Sequence, residues 1–325
     1  MSISFRFSSA AIAACVVLAY SLPAHADYPE RGITFVVPYA AGGSTDIAAR
    51  LVANGLANRL KTSVVVENKP GSGGLIGAAS VANSQPDGYT FLVTGNGLAS
   101  LPALDDPAFD LQKSLTPVTR FAEGALIILA SPGAPFSTIQ EFLEYAKANP
   151  GEVNGGLPGA LGASQLALER FRMESGFEYT PIYYSGNAPA AAALMAGEVE
   201  LGVDAAPSAR SFVESGKILG LAVTTQTRFP HLPDVPTLSE TVYPGYSDGY
   251  SNIVLAPAGT PEDIVRKVAD EIAEIVQEPE VVAKLLEYGL TPLSMTHEQF
   301  SVSFQEEIDR YGVIIADLKQ RDMLQ

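Results

Sequence analysis

The residues with the most chemical potential sit in glycine-rich turns. Pro38 to Asp46 reads P-Y-A-A-G-G-S-T-D, between a strand expected over Ile33 to Val37 and a helix expected over Asp46 to Leu60. Two adjacent glycines let the main chain come close to a ligand, and Ser44, Thr45 and Asp46 supply helix-capping groups. Unpaired N–H groups at a helix start attract anions, so Tyr39, Ala41, Gly42, Gly43, Ser44 and Asp46 are candidates for gripping an acid group. A second turn, G-G-L-P-G-A-L-G from Gly155 to Gly162, leads into a helix beginning near Ala163 and adds Leu157, Gly159, Gly162 and Gln165. The run Tyr183 to Pro189 contributes Tyr184 and Asn187. Asp204 follows a strand expected over Val199 to Val203, and Thr94 and Asn96 stand at the exit of one over Tyr89 to Thr94. Strand exits are where ligands collect in α/β sheets.

Other chemistries lack their residues. Gly71-Ser72-Gly73-Gly74 fails as a dinucleotide fingerprint, because Ile76 occupies the place of the third glycine, and no G-x-x-x-x-G-K-[ST] run exists. His231 lies in a proline-rich passage and His297 at a helix start, away from the strand-end turns. There is no H-E-x-x-H and no G-x-S-x-G. A carboxylate-only mechanism on Asp46 and Asp204 is the residual enzymatic alternative, and no cofactor or metal is expected.

The N-terminus carries Arg6, an apolar stretch from Ala10 to Tyr20, then Pro23 and Ala24-His25-Ala26. This pattern is that of a secretory signal cleaved after Ala26, with residues 1–26 removed. A lipoprotein reading at Ile12-Ala13-Ala14-Cys15 is the alternative. Cleavage removes Cys15, the only cysteine, so the mature chain has no disulfide and no thiol chemistry. It leaves 299 residues with 19 basic and 36 acidic side chains, a formal charge of −17. Such a balance offers no footprint for nucleic acid, and the length suits two cores.

Around these turns the sequence alternates β-branched runs with helical stretches, which predicts α/β layers on largely parallel sheet. Strands are expected at Val64 to Glu67, Ala125 to Ala130, Tyr179 to Tyr183, Leu219 to Val223 and Ile253 to Ala256, and a helix over Leu75 to Ala82. Ser137-Thr138-Ile139-Gln140 reads as a capping box, Pro261 as the first residue of a helix, and Thr296 as the start of the last helix. Arg228 to Tyr250, with Pro230, Pro233, Pro236, Pro244 and Gly245, reads as the chain passing between two lobes.

Several of these motifs together resemble the Bug-type receptors of tripartite tricarboxylate transporters. The resemblance rests on Tyr28-Pro29-Glu30-Arg31, Pro38 to Asp46, Val65 to Gly74, Pro86-Asp87-Gly88-Tyr89-Thr90, Leu232 to Thr237 and Ala256 to Pro261, and it spans essentially the whole mature chain. It implies a periplasmic-binding-protein fold of two α/β lobes, residues 27–122 with 250–325 and residues 123–249, with a ligand cleft between them. It further implies a periplasmic monomer that takes a small organic carboxylate to membrane permease subunits, or to a sensor. The second-lobe loop departs from the family pattern: Leu157 replaces a serine, Gly162 a serine or threonine, Gln165 a histidine, and Ser185 a lysine. Loss of two hydroxyls and a cation points to a ligand with one carboxylate and an apolar or aromatic body, against which Tyr39, Tyr183, Tyr184 and Tyr250 are expected to pack.

Overall fold

The computed structural model describes residues 28–104, 110–159, 161–321 and 323; the expected secretory signal, residues 1–26, and Cys15 lie outside the described residues. The strands are β1 (Ile33–Val37), β2 (Val64–Asn68), β3 (Thr90–Gly95), β4 (Leu115–Gly124), β5 (Leu126–Ala130), β6 (Asn154–Leu157), β7 (Thr180–Tyr183), β8 (Leu201–Ala205), β9 (Leu219–Val223), β10 (Tyr250–Pro257) and β11 (Leu290–Pro292). The helices are α1 (Ser44–Leu60), α2 (Leu75–Ala82), α3 (Leu111–Ser114), α4 (Ile139–Ala148), α5 (Ala163–Ser175), α6 (Asn187–Ala196), α7 (Ala206–Glu214), α8 (Leu238–Thr241), α9 (Glu262–Ile275), α10 (Pro279–Glu287) and α11 (His297–Gln320).

The strands form two sheets, ordered β11-β4-β10-β3-β1-β2 and β7-β6-β8-β5-β9. Each sheet is covered on both faces, as the period-two alternation of side chains requires. In β1, Phe35 and Val37 pack with α1 and α9, while Val36 faces α2 and α11 on the opposite side. In β5, Ile128 joins Phe142, Phe171 and Tyr246, while Ile127 and Leu129 join Leu194, Ala206 and Phe229.

The sheets are mixed, a correction to the expectation of largely parallel pairing. Parallel pairs (β1 with β2 and β3; β6 with β7 and β8) are outnumbered by antiparallel ones (β10 with β3 and β4; β11 with β4; β5 with β8 and β9). A run such as Leu126-Ile127-Ile128-Leu129 is buried on both faces whichever way its neighbours point, so its composition does not encode direction.

Two helix starts also differ from expectation by one residue. Thr138, not Ser137, caps α4 by accepting the Glu141 amide at 3.2 Å, while Ser137 donates from both its amide and its hydroxyl to Glu141. Pro261 is the N-cap of α9, so the helix begins one residue later, at Glu262. The passage 228–250 is more anchored than its prolines suggest. Thr237 caps α8 with a full capping box, and the buried Tyr246 donates its hydroxyl to Ala167 O at 3.1 Å in the core of the second sheet.

The chain crosses between the sheets at Gly124–Ala125 and again at Gly249–Tyr250, where Tyr250 pairs with Gly124. A Cβ on Gly249 would stand 2.7 Å from Gly124 O, so only glycine lets the two crossings lie this close. Helix α11 bridges the units. Its Asp317 and Arg321 pair with Arg172 and Glu169 of α5, and Glu169, fully buried, also accepts the Tyr179 hydroxyl at 2.7 Å.

Candidate ligand-binding site

The turns into α1 and α5 are built alike. Gly43 caps α1 with φ −74° and ψ 166°, and Gly162 caps α5 with φ −75° and ψ 167°; neither helix has a side-chain cap. Glycine brings no acceptor to this position, so first-turn amides stay available to an outside group. In each case the third helical residue folds back onto the residue before the cap. Asp46 accepts the Gly42 amide at 2.9 Å, and Gln165 accepts the Leu161 amide at 2.6 Å. The last residue before each cap takes the left-handed conformation, Gly42 at φ 86° and Leu161 at φ 58°, and these bonds hold it there.

The braces differ in charge. Asp46 is 3% exposed and also accepts from Arg50 Nε at 3.0 Å, Arg50 Nη2 at 2.9 Å and Asn68 Nδ2 at 2.9 Å. Burial pushes its carboxyl up, but the bonds from Arg50, Gly42 and Asn68 together hold it below the ordinary value. Asn68 Nδ2 also donates to Tyr39 O at 3.1 Å, which ties the start of the turn to its end. Gln165 is neutral and fully buried, and donates to the Tyr183 hydroxyl at 2.7 Å. The side chains of Asp46 and Gln165 thus brace the turns.

Between the units lies a cavity of about 480 Å³. One side is formed by Tyr39, Thr45, Ser72, Leu75 and the stretch Gly95 to Leu101; Leu161, Gly162 and Ala163 form the other, with Tyr250 beside the crossing. No charged side chain is among these lining residues. A smaller, adjoining recess of about 250 Å³ is lined by Tyr39, Gly43, Ser44, Thr45 and Asp46. Leucines make up much of the large cavity, and hydroxyls from Tyr39, Thr45, Ser72, Ser100 and Tyr250 are scattered among them.

The candidates read from sequence fall into distinct positions. Tyr39, Gly43, Ser44, Asp46, Asn96 and Gly162 line one of these two spaces, and Ala41 and Gly42 are exposed on the same turn. Thr94 is buried, its hydroxyl 3.2 Å from that of Tyr39. Asn96 is a strap: its amide donates to Glu307 at 2.6 Å and Gly249 O at 3.3 Å, and its oxygen accepts the Ser251 amide at 2.9 Å. Leu157 is fully buried in the core of the second sheet, Tyr184 packs against the cluster beneath α6 and α7, and Gly159 lies in the turn at φ 137° without lining either space.

Asp204 and Asn187 sit together at the end of β8 and the start of α6, beside a void of about 10 Å³ that Gly156 and Pro158 also line. Asp204 accepts from Asn187 Nδ2 and from the Ala205 amide at 2.6 Å. Burial nevertheless pushes its carboxyl up to about 6. Tyr250, which faces the large cavity, is pushed up to about 12 by burial and by the Asp204 charge.

Ser72, Leu75, Ser100 and Leu101 were not singled out by sequence. Ser72 belongs to the glycine run that fails as a nucleotide loop, and the failure of one ligand class there left another open. Among the described residues no group of three or more His, Cys, Asp or Glu side chains is placed to hold a metal ion.

Two α/β units that face each other across an uncharged cavity, each presenting an uncapped helix start, define a two-lobed solute-binding protein. A model of the tripartite tricarboxylate transporter family receptor (TctC) matches residues 48–320. The protein BugT of Bordetella pertussis is 32% identical over 302 residues, covering 91% of this chain and 92% of BugT. Two solved structures are similar throughout. Rpa4515 of R. palustris with adipate shares 32% identity at a TM-score of 0.73, over 89% of this chain and 97% of that one. MatC from Rhodopseudomonas palustris with bound malate shares 30% identity at a TM-score of 0.70, over 89% and 100%. The chain therefore belongs to the TctC receptor family of tripartite tricarboxylate transporters, among its Bug-type members.

Proposed function

We propose that this receptor works in the periplasm, closes on a small organic acid and delivers it to the membrane permease subunits of a tripartite transporter, without altering it. The observation that carries this reading is the pair of glycine-capped helix starts, Gly162 at the large cavity and Gly43 at the recess that shares Tyr39 and Thr45 with it. A carboxylate seated there would gain charge-assisted hydrogen bonds of about 1.5–3 kcal/mol each, aided by a helix dipole of about 0.3–1 kcal/mol. Three or four such bonds, less the cost of immobilisation, reach the ~8 kcal/mol of micromolar binding. At physiological salt the remote surface charge is screened beyond ~8 Å, so the net charge of the chain does not forbid an anion.

The uncharged, leucine-rich lining supports a ligand with one carboxylate on an apolar or aromatic body. The lobes are residues 27–122 with 250–325 and residues 123–249, hinged at the paired crossings beside Gly124 and Gly249. Adipate and malate in the related structures are consistent with an acid as ligand. A thermal-shift screen of mono-, di- and aromatic carboxylates against neutral sugars tests the reading, since a ligand at 100 times its Kd adds ~2.7 kcal/mol. Monocarboxylates with apolar bodies are expected to lead; shifts from sugars alone would refute it.

A further inference from the structure

Asp204 is a buried carboxylate with two hydrogen bonds and, among the described residues, no cation beside it. It is 8% exposed, and among the described residues no Lys, Arg or His pairs with it. Its two hydrogen bonds, from Asn187 Nδ2 and the Ala205 amide, both fall on Oδ1, and among the described residues Oδ2 receives none. By contrast Asp46, at the start of α1 in the other unit, has both oxygens occupied and an arginine beside it. A buried anion without a cation is costly, and a merely structural role at this strand end needs only the Oδ1 bonds, which an asparagine would make equally well.

The surroundings indicate what Oδ2 can receive. The void at Asp204, about 10 Å³, has room for a single water-sized group, too little for a ring or a second carboxylate. It is bounded by Gly156, Pro158 and Asn187, at the C-terminal ends of β6 and β8 and the start of α6. Tyr250 lines the large cavity and lies near enough to Asp204 for that charge to act on its phenol, after burial. The cavity itself offers no acidic side chain.

We infer that Asp204 is the specificity-determining acceptor for a hydrogen-bond donor, a hydroxyl or ammonium, carried by the ligand away from the carboxylate that the glycine turns hold. This rests on the receptor reading above and narrows it: the ligand is an acid whose body bears a donor directed at Asp204 Oδ2, with Tyr250 alongside. An unsubstituted acid leaves that oxygen to a trapped water or to nothing. A second carboxylate at the same place would meet a like charge.

The test is calorimetry on the mature chain with matched acids: hexanoate, 6-hydroxyhexanoate, 6-aminohexanoate and adipate, their shorter homologues, and benzoate with 3- and 4-hydroxybenzoate and 4-aminobenzoate. At least one donor-bearing acid is expected to bind about ten- to a hundred-fold tighter than its unsubstituted partner, the range of a hydrogen bond to a charged group. In Asp204→Asn the amide keeps the Oδ1 bonds and replaces Oδ2 with a donor, so this preference should fall to within about three-fold, while adipate, relieved of the like charge, should bind no more weakly than to the wild type. The hydroxy and amino arms separate a hydrogen bond from an ion pair. Carboxylate binding with no donor preference in the wild type, or a preference unchanged in Asp204→Asn, overturns the inference and leaves the receptor reading standing. Absence of binding by every carboxylate overturns both.

Discussion

If Asp204 is kept for a ligand and not for the fold, replacing it should make the unliganded protein more stable, and only where the carboxyl is ionised. Its pKa is raised from 3.8 to about 6 by burial. A folded-state value above the unfolded one means that the folded chain holds the proton more tightly. The stabilisation linked to that proton is complete below pH 3.8 and is lost as pH rises through about 6. At about 1.4 kcal/mol per tenfold, the ionised group costs the fold about 3 kcal/mol at neutral pH. Asp204→Asn keeps the bonds from Asn187 and Ala205 on its carbonyl and removes the charge, but leaves an amide donor of its own to satisfy, at about 1 kcal/mol. A net gain of about 2 kcal/mol corresponds to a rise of about 4 °C in Tm for a chain of this size. Differential scanning calorimetry of the wild type and Asp204→Asn, from pH 3.5 to 8 without ligand, should give a difference in Tm near zero or slightly negative at the acid end and positive above pH 6. A difference that does not change with pH, or a variant less stable at pH 7.5, would refute the argument.

Further predictions concern the two turns. Gly162 has open space around its Cβ position and an extended backbone that any residue can adopt. Gly162→Asp should therefore fold, cap α5 with its own carboxylate and abolish acid binding, whereas Gly162→Ala should change affinity by less than about five-fold; equal binding by both variants in calorimetry would sink the role of this helix start. Asp46→Ala takes an acceptor from the Gly42 amide, from one Asn68 N–H and from Arg50, so it should cost about 1.5–3 kcal/mol of stability in urea melts and weaken acid binding by loosening the turn. The Asp46 contribution has the opposite pH sign to that of Asp204, because its folded-state pKa is lowered: it is present above the unfolded value and disappears as pH falls. Acid titration of Asp46→Ala should accordingly show a smaller loss of stability between pH 5 and 3 than the wild type, and an equal loss would count against the brace.

Much of the architecture is legible in the sequence because burial imposes a period on it. β1, α2 and β9 begin and end where the apolar runs do, and Thr296 starts α11 because threonine followed three residues later by glutamine satisfies two orphan amides at once. Strand direction was not legible, since β10 arrives from the other unit and a strand buried on both faces carries no mark of its neighbours' polarity. Among site residues, sequence placed the turns but not the roles within them. Asp46 and Asn96 look like ligand groups at strand exits, yet their side chains are occupied by partners 22 and 211 residues away, Asn68 and Glu307. Only tertiary structure decides whether a polar side chain at such an exit faces the cleft or is consumed by the scaffold.

The two braces also account for how so acidic a chain can offer an anion two positive ends. A carboxylate that braces a turn would oppose an incoming acid at short range unless its charge were balanced, and in the first unit Arg50 does so with two hydrogen bonds to Asp46. In the second unit the same position is filled by Gln165, which makes the equivalent bond without any charge to balance. Neither brace thus leaves an unbalanced charge at a helix start, and Asp204, which no Lys, Arg or His pairs among the described residues, lies apart from them at the end of β8. An acid ligand seated at the turns would meet main-chain dipoles and neutral hydroxyls, while a far end directed at Asp204 would meet a negative charge. That polarity would seat a molecule with an anionic head and a donor tail in one direction only.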